Sequence, residues 1–437
     1  MESKSPKVLI ISSVDPSIGP AVVGLEHYYA FKNAGLDVDF LTKYPVDGHP
    51  EFISVFDKKP SKPNILVKIK RKICNILHES NWQQQLPGYF FFYGKECNPP
   101  VPIGRVVGKV KRKYDVVYVV FWQELLSFAT IETLYERLHC LFLFCCVDYS
   151  PMAGGCHFTG DCIRYQSGCG YCPAIFSKKE NDFTKWNVEY RERFYEKVKP
   201  VVYGNSYMNS FYRRSFLLGR YDRLETVLPM VDVDKFCPQD SIGIRNKYSI
   251  GDNKSFILLF GSQSLSDERK GISYLLEALK IFYEELTSEE RKRVLLVLIG
   301  RDIEPIKERL FFDYLYLGYV KSSNLPEIYS MASVFLSPSV NDAGPSMVNQ
   351  AMACGTPIVA FEMGTALDVV KGKHTGYCAK LRDAKDFANG IKFVYDLNAS
   401  DYQMLRLRCR ETALKLTSPN SFVQNFLRIY NKYSKLV

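Results

Sequence analysis

The sequence predicts an α/β protein made of two doubly wound, Rossmann-like domains that face each other across a cleft. Short β-branched runs alternate with helical stretches along nearly all of the 437 residues, a pattern that favours parallel sheets. A chain of this length also exceeds what one hydrophobic core usually serves. The alternation restarts after a connection rich in Pro and Asp at 226–240, which predicts the boundary between the domains.

The candidate strands divide evenly between the two halves. Those of the first half are at 7–13, 37–43, 115–121, 141–148 and 200–206. Those of the second half are at 255–262, 294–300, 312–320, 334–339 and 357–362. Helical segments such as "GISYLLEALKIFYEEL" and "DAKDFANGIKFVYDL" fall between them. We expect a first domain over 1–225, a second over 226–415 and an amphipathic C-terminal helix over 416–437.

Composition and charge limit the class of protein. Hydrophobic residues at 46% and charged residues at 24% are typical of a soluble globular protein. The apolar runs are shorter than the ~20 residues of a membrane span, and the N-terminus has no signal-peptide pattern, so we expect a cytoplasmic protein. The net charge is +10, and a basic group at 58–72 overlaps a helical apolar pattern. That pattern fits either a helix lying on an anionic membrane or an ordinary surface helix.

The segment "GGCHFTGDCIRYQSGCGYCP" at 154–173 concentrates four of the thirteen cysteines. They are Cys156, Cys162, Cys169 and Cys172. A reducing compartment disfavours disulfides, and four thiolates suit a structural zinc ion, with His157 as an alternative ligand. Separate thiols and a redox centre are the other interpretations. Only one Cys-x2-Cys knuckle is present and the basic runs lie elsewhere, so no nucleic-acid partner is expected.

Two stretches of the second half have the chemistry of an anion site. In "GSQSLSDERKGISYLLEAL", Arg269 and Lys270 stand where a strand-to-helix loop opens a helix, and two cations there can neutralise a diphosphate. In "SPSVNDAGPSMVNQAMACGTPIVAFEMGTALDVV", Gly344 and the Gly364-Thr365 pair precede two helices. The N–H groups at such helix starts attract anions.

The second of these stretches, continued as "KGKHTGYCAK", resembles the donor-binding signature of glycosyltransferase family 4, the retaining enzymes of GT-B fold. The resemblance extends to "NLPEIYSMASVFLSPS", "VLPMVDVDKFCP" and "SIGPAVVGLEHYYAFKNAGLDVDFLT", so that it spans nearly the whole chain. The cysteine segment resembles one found in a bacterial polysaccharide-forming branch of that family.

The resemblance implies a role for each candidate residue. The diphosphate of a nucleotide sugar would lie on Arg269 and Lys270, assisted by the amides of Gly364 and Thr365. The donor sugar would contact Asp342, with the amides of Gly344 and Ser346. Gln350 would contact the ribose, and Gly19 would lie near where the diphosphate and the acceptor meet. Asp148 would bind substrate at the position of the family's His-Asp pair, which supports the donor sugar. The resemblance implies that Arg269, Lys270 and Asp342 carry catalysis without a metal cofactor.

The implied function is a hexosyl-transferring enzyme of polysaccharide biosynthesis. It would move sugar from a nucleotide-sugar donor to a lipid-linked or oligosaccharide acceptor, in peripheral contact with the inner membrane. The resemblance also implies that the C-terminal helix returns to the first domain.

Two departures from the family pattern leave an alternative open. The family has a His-Asp pair where this chain has Val147-Asp148, and a second Glu where it has Gln350. A glutamine still hydrogen-bonds a ribose hydroxyl. A GT-B subunit that binds a nucleotide sugar or a partner enzyme with weakened turnover is therefore the second hypothesis.

Overall fold

A computed structural model describes residues 5–13, 22–59, 90–91, 96, 99–145 and 148–436. The chain divides into two compact units. Unit 1 contains Met1–Gly204, Met208–Thr226 and Val423–Val437, and unit 2 contains Asn205–Tyr207 and Val227–Phe422.

The sheet of unit 1 has seven strands, and every neighbouring pair is parallel. The strands are β1 (Lys7–Ser12), β2 (Asp37–Thr42), β3 (Ile53–Ser54), β5 (Val116–Val119), β6 (Leu141–Cys145), β8 (Val201–Gly204) and β9 (Leu224–Thr226). Their order is β3-β2-β1-β5-β6-β8-β9. A separate antiparallel pair joins β4 (Phe90–Phe91) to β7 (Cys156–Phe158).

The helices up to residue 214 are α1 (Val22–Asn33), α2 (Ile103–Lys109), α3 (Phe128–Leu138), α4 (Phe183–Val198) and α5 (Ser206–Arg214). Three short 3-10 helices, Ser150–Met152, Arg164–Gln166 and Pro173–Ile175, lie between β6 and α4. A long connection that includes the cysteine segment therefore joins β6 to α4.

Unit 2 has a six-stranded sheet in the order β12-β11-β10-β13-β14-β15, again with parallel pairs throughout. The strands are β10 (Phe256–Ser264), β11 (Val294–Arg301), β12 (Tyr314–Tyr316), β13 (Val334–Ser337), β14 (Ile358–Phe361) and β15 (Gly376–Ala379). The helices are α6 (Ser241–Lys247), α7 (Ile272–Glu285), α8 (Ser288–Arg293), α9 (Leu325–Met331), α10 (Ser346–Ala353), α11 (Ala366–Val369), α12 (Ala384–Tyr395) and α13 (Ala399–Leu416). Short 3-10 helices cover Glu268–Lys270 and Lys307–Arg309.

The final helix, α14 (Pro419–Tyr433), packs on the core of unit 1, and a 3-10 turn at Ser434–Leu436 follows it. The ring of Phe426 lies 4.4 Å from the ring of Phe31, centroid to centroid. Elsewhere on the same helix, Arg428 and Lys432 donate hydrogen bonds to the carboxylate of Glu225. The helix thus supplies part of the apolar core and part of the polar edge of this unit.

Both sheets confirm the predicted α/β, doubly wound fold class. Their central strands are buried nearly end to end, as expected where helices cover both faces. In each sheet the strand order reverses once, between β1 and β5 in unit 1 and between β10 and β13 in unit 2. Ligands of such sheets bind beyond the carboxyl ends of the strands at the reversal. A ligand site is therefore expected at these loops.

All ten predicted strand runs contain a strand, and the strands that the sequence pattern did not reveal are short. Three of them, β3, β9 and β15, lie at sheet edges, where only one neighbour stabilises the pairing. The predicted basic helix at 58–77 falls almost wholly outside the described residues. Among the residues that are described, none forms a helix both long and apolar enough to cross a membrane.

Candidate functional site

The loop that follows β10 carries the two predicted cations. Arg269 and Lys270 lie in the 3-10 helix that precedes α7, and Gly271 joins the two helices with a φ of 71°. A Cβ on Gly271 would lie 1.8 Å from the carbonyl oxygen of Pro338, in the loop after β13. Only glycine therefore allows the two loops at the strand reversal to approach this closely. The backbone N–H of Val340 closes the contact by donating to the Arg269 carbonyl at 2.8 Å.

This approach brings Lys270 to the predicted sugar-binding acid. The Lys270 ammonium donates a hydrogen bond to Oδ2 of Asp342, and the Gly344 N–H donates to Oδ1 at 3.0 Å. The two side chains are only 23% and 13% exposed. Burial raises the pKa of Asp342, but the charge and hydrogen bond of Lys270, with the Gly344 amide and Arg269, outweigh it and hold that pKa below its ordinary value. The carboxylate is thus ionised at neutral pH.

Arg269 is held by its own loop. Its Nε and terminal nitrogen donate to the two oxygens of Asp267 at 3.2 and 2.7 Å, a forked ion pair. Asp267 also caps this turn by accepting the Arg269 N–H at 3.1 Å. The guanidinium is thereby oriented before any ligand binds. A bound anion must either displace the Asp267 carboxylate from Arg269 or share the guanidinium with it.

Two glycine loops of unit 2 pack against each other next to the Lys270–Asp342 pair. Gly364 has a φ of 55°, and a Cβ there would lie 2.9 Å from Cδ of Pro345 and 3.1 Å from Cα of Gly344. Ser346 is the first residue of α10. Thr365 is fully buried, and its hydroxyl donates to Oδ1 of Asn349 at 3.1 Å. The side chain of Thr365 therefore braces the loop from inside unit 2.

Gln350, predicted to contact the ribose, lies on α10 one to two turns after Ser346. Its Oε1 accepts the hydroxyl hydrogen of Tyr329 at 3.1 Å. Tyr329 is fully buried on α9, so this bond ties the amide to the interior of unit 2. The amide oxygen of Gln350 serves as the acceptor for Tyr329. The amide NH2 group can still donate a hydrogen bond to a ligand hydroxyl.

In unit 1 the structure places Asp148 beyond the carboxyl end of β6, with its side chain 2% exposed. Its Oδ2 lies 2.6 Å from Nδ1 of His157 and accepts Nε2 of Gln123 at 2.7 Å. The Ser150 N–H donates to Oδ1 at 2.8 Å. The buried carboxylate thus orients the more exposed imidazole of His157. Gly19 and Val147, the other positions singled out in this unit, lie outside the described residues.

His157 is the residue whose role the sequence did not reveal. It lies on β7, nine positions after Asp148, and a turn through the 3-10 helix Ser150–Met152 brings the two together. The only sequence signal was its place beside Cys156 in the cysteine segment. The chain therefore has a His–Asp pair in unit 1, although the histidine comes from a different position than the family pattern predicts.

The four clustered cysteines line one small cavity in unit 1, with a volume of about 20 Å³. All four thiols are free. Burial raises the pKa of Cys156, and it raises the pKa of Cys169 to about 11 and of Cys172 to about 12. Within the described ranges no three His, Cys, Asp or Glu side chains already stand in a metal-ligating arrangement.

A buried ion pair anchors the start of the cysteine segment. Arg191 on α4 donates through Nε and a terminal nitrogen to Oε1 of Glu96 at 3.0 and 2.7 Å. The same guanidinium donates to the carbonyl of Ser150 at 2.8 Å and to that of Ala153. Oε2 of Glu96 accepts the Phe128 N–H at 3.0 Å. Every oxygen and several nitrogens of the pair are thereby engaged, as a buried pair requires.

Comparison with known proteins assigns the segment that carries the cations and Asp342. Residues 242–415 match the family model described as glycosyl transferases group 1. This segment is therefore similar to group 1 glycosyltransferases. Arg269, Lys270, Asp342, Gly344, Gln350 and Gly364 all lie within the matched residues.

Relatives match parts of the chain. An N,N'-diacetylbacillosaminyl-diphospho-undecaprenol alpha-1,3-N-acetylgalactosaminyltransferase of Campylobacter jejuni is 26% identical over 47% of this chain and 56% of its own. A 41.2 kDa protein in the cps region of Klebsiella pneumoniae is 23% identical over 60% of this chain and 70% of its own. A D-inositol 3-phosphate glycosyltransferase of Geodermatophilus obscurus is 29% identical over 39% of this chain and 40% of its own. The chain spans about half the length of the first and last of these relatives.

Solved structures match nearly the whole chain. Sucrose-phosphate synthase from Thermosynechococcus elongatus superposes with a TM-score of 0.65 over 99% of this chain and all of its own, at 17% identity. Anabaena HepE in complex with UDP-glucose superposes with a TM-score of 0.60 over 98% of this chain and all of its own, at 12% identity. At such identities the match establishes the two-domain α/β fold alone.

Proposed function

We propose that the protein is a retaining glycosyltransferase of family 4 that transfers a sugar, of hexose type, from a nucleotide-sugar donor to a glycan acceptor. The observation that carries the proposal is the Lys270–Asp342 pair at the strand reversal of unit 2, with Arg269 beside it, in the segment that matches the group 1 family model. Two cations and one ionised acid at that point suit a diphosphate joined to a sugar.

The donor diphosphate is assigned to the two cations. The Lys270 ammonium has three donors, so it can keep its bond to Asp342 and still reach a phosphate oxygen. Arg269, already forked onto Asp267, would offer its remaining N–H groups. The backbone amides of Gly364 and Thr365 complete the diphosphate site in this proposal. These fixed charges stabilise the departing nucleoside diphosphate and give the catalytic step its electrostatic support without a metal cofactor.

The donor sugar is assigned to the other end of the pair. Asp342 is ionised and oriented by Lys270 and the Gly344 N–H, so it can accept hydrogen bonds from sugar hydroxyl groups. Gly344 and Ser346 would contribute backbone amides, and the free donor group of the Gln350 amide would serve the ribose. In the proposed retaining step the acceptor oxygen bonds to the anomeric carbon on the face that the diphosphate leaves. The acceptor proton passes to the departing phosphate oxygen.

The acceptor is proposed to be lipid-linked, in bacterial polysaccharide biosynthesis. The Campylobacter relative is named for a diphospho-undecaprenol substrate, and the Klebsiella relative is from a cps region. Both names support this assignment. We assign the acceptor side to unit 1, where Asp148 orients His157. A cytoplasmic location with peripheral contact to the inner membrane follows for an enzyme with such an acceptor.

A panel of nucleotide sugars tests the proposal. Purified protein is mixed with UDP-, GDP- and ADP-sugars, and thermal stabilisation and release of nucleoside diphosphate are both measured. We expect one donor to raise the melting temperature and to release its nucleotide when a lipid-diphosphate acceptor is added. Stabilisation by none of the donors would refute the proposed donor site.

The second candidate is a nucleotide-sugar-binding subunit with weakened turnover. Gln350 in place of a carboxylate, with its oxygen bound to Tyr329, is the observation that favours it. The same panel separates the two functions, because this candidate predicts thermal stabilisation by a donor without release of nucleoside diphosphate. A Gln350→Glu variant that gains turnover would identify the amide as the cause.

A further inference from the structure

We propose that Cys156, Cys162, Cys169 and Cys172 bind one structural zinc ion in unit 1. The four residues come from β7, two loops and the start of a 3-10 helix, yet all of them line a single cavity. Four sulfur ligands from four such positions are the ligand set of a closed, tetrahedral structural zinc site. The proposal is independent of the glycosyltransferase function.

The backbone around the cavity directs N–H groups at the sulfur atoms. The Gly154 N–H donates to Sγ of Cys169 at 3.4 Å. The backbone N–H groups of Ala174 and Ile175, at the start of a 3-10 helix, lie close enough to the sulfur of Cys172 to favour its thiolate. Such donors stabilise a thiolate and orient it, which is the task of the hydrogen bonds around a metal ligand.

The Cys169–Cys172 knuckle is built into the chain by an unusual turn. Four successive residues have positive φ: Gly168 at 90°, Cys169 at 63°, Gly170 at 80° and Tyr171 at 44°. A Cβ on Gly170 would lie 2.2 Å from the carbonyl oxygen of Glu180, so glycine is required there. The turn presents Cys169 and Cys172, which are separated by two residues, to the same cavity.

The knuckle is also fastened to the start of α4. The Gly170 N–H donates to Oγ1 of Thr184 at 3.2 Å, and the Cys172 N–H donates to Oδ2 of Asp182 at 2.9 Å. Asp182 is the N-cap of α4. The backbone is therefore already fixed on both sides of the cavity. We expect zinc binding to move the four side chains inward to ligating distance, with little change in the main chain.

The size and chemistry of the cavity favour a single ion. A volume of about 20 Å³ holds one water-sized species and is too small for an iron–sulfur cluster. Four thiolates select soft or borderline cations, of which Zn²⁺ takes tetrahedral sulfur sites without redox chemistry. Binding releases the thiol protons to solvent, and the ion replaces them as the positive charge between the sulfurs.

Metal analysis of the full chain tests the inference. The protein is purified without chelator, its zinc is measured by inductively coupled plasma mass spectrometry, and its reactive thiols are counted before and after a chelator removes the metal. We expect about one zinc per chain and four thiols that react only after release. Less than about a tenth of an equivalent of zinc with four freely reactive thiols would overturn the proposal, as would iron or a disulfide at these cysteines.

A matched pair of variants assigns the ion to this cavity. The Cys162→Ser/Cys169→Ser variant should lose its zinc, whereas Cys237→Ser/Cys378→Ser, at two half-buried cysteines of unit 2, should keep it. Retention of zinc by the first variant would refute the assignment. If that variant fails to fold, cobalt substitution of the unmodified chain decides, because four thiolates give cobalt an intense sulfur-to-metal absorption. Absence of that absorption would also overturn the proposal.

Discussion

Lys270 donates a hydrogen bond to Asp342 across 72 positions of sequence, and the contact exists because two parallel strands of unit 2 end side by side. Gly271 allows the loop after β10 to reach the loop after β13, and the backbone bond from Val340 to Arg269 fixes the distance. The pair is thus a product of the sheet's strand order, and its chemistry is placed where such sheets hold their ligands.

Removal of the Lys270 ammonium should abolish most of the proposed transfer. We expect Lys270→Ala to lower kcat by about 10²–10³-fold, because one fixed donor to the developing charge is lost. The Lys280→Ala variant, on the exposed face of α7, should keep full activity. Release of nucleoside diphosphate measures both. Equal activity of the two variants would contradict the role given to Lys270.

The close approach at Gly271 should be visible in stability. Gly271→Ala forces a Cβ against the Pro338 carbonyl at a φ of 71°, whereas Gly318→Ala meets open space at a φ of 63°. Gly318→Ala should therefore cost only the conformational penalty of about 1–2 kcal/mol. We expect Gly271→Ala to lower the free energy of unfolding by about 1–3 kcal/mol more, from overpacking. Urea denaturation of the two variants provides the comparison, and equal losses would show that the loops separate freely.

His27 should make unit 1 sensitive to mild acid. It is buried on α1 beside the Tyr118 hydroxyl, 2.9 Å from its Nδ1, and burial lowers its pKa from 6.5 to about 3. Between pH 6.5 and about 3, His27 is therefore protonated in the unfolded chain and neutral in the folded chain. The free energy of unfolding should fall as the pH drops below 6.5, by at most about 1.4 kcal/mol per pH unit from this residue.

A variant isolates the contribution of that histidine. In His27→Gln the free energy of unfolding should depend less on pH between 6.5 and 4 than in the unmodified chain, as measured by urea denaturation at several pH values. His139→Asn, at an exposed helix end with left-handed backbone, should leave the slope unchanged. An unaltered slope in His27→Gln would show that other groups cause the acid sensitivity.

The Glu96–Arg191 pair should show strong coupling. Their side chains are 2% and 0% exposed, so Arg191→Met leaves a buried carboxylate without its cation and should cost about 3–5 kcal/mol. Adding Glu96→Gln to that variant removes the charge and should restore much of the loss. The surface variant Lys197→Met, which breaks two exposed ion pairs, should cost no more than about 1 kcal/mol. A double variant no more stable than Arg191→Met would contradict a charge-based explanation.

The sequence predicted the fold class and the central strands because both depend on local patterns. Buried parallel strands are continuous apolar runs, and they end at loops whose glycines and charges are adjacent in sequence. The Lys270–Asp342 contact could be anticipated from that order. The edge strands β3, β9 and β15 could not be predicted. Whether such strands form depends on pairing with a single neighbour and not on their composition.

Other parts of the candidate site depend on packing between distant segments. Glu96 and Arg191 are 95 positions apart, and nothing in the residues around Glu96 marks a partner. His157 reaches Asp148 only because a turn folds β7 back towards the end of β6. The Gln350–Tyr329 bond likewise requires α9 and α10 to pack together. Such contacts follow from tertiary structure, and single-sequence patterns carry no record of them.

The placement of α14 has a consequence for how the protein is made on the ribosome. Unit 1 needs Phe426 for its core and Arg428 and Lys432 for Glu225, yet the whole segment 227–422 is synthesised before these residues. The nascent N-terminal portion therefore keeps an uncovered apolar surface beside Phe31 until residues 423–437 have been synthesised. A chaperone that shields this surface during elongation should increase the yield of native protein, and its removal should favour aggregation.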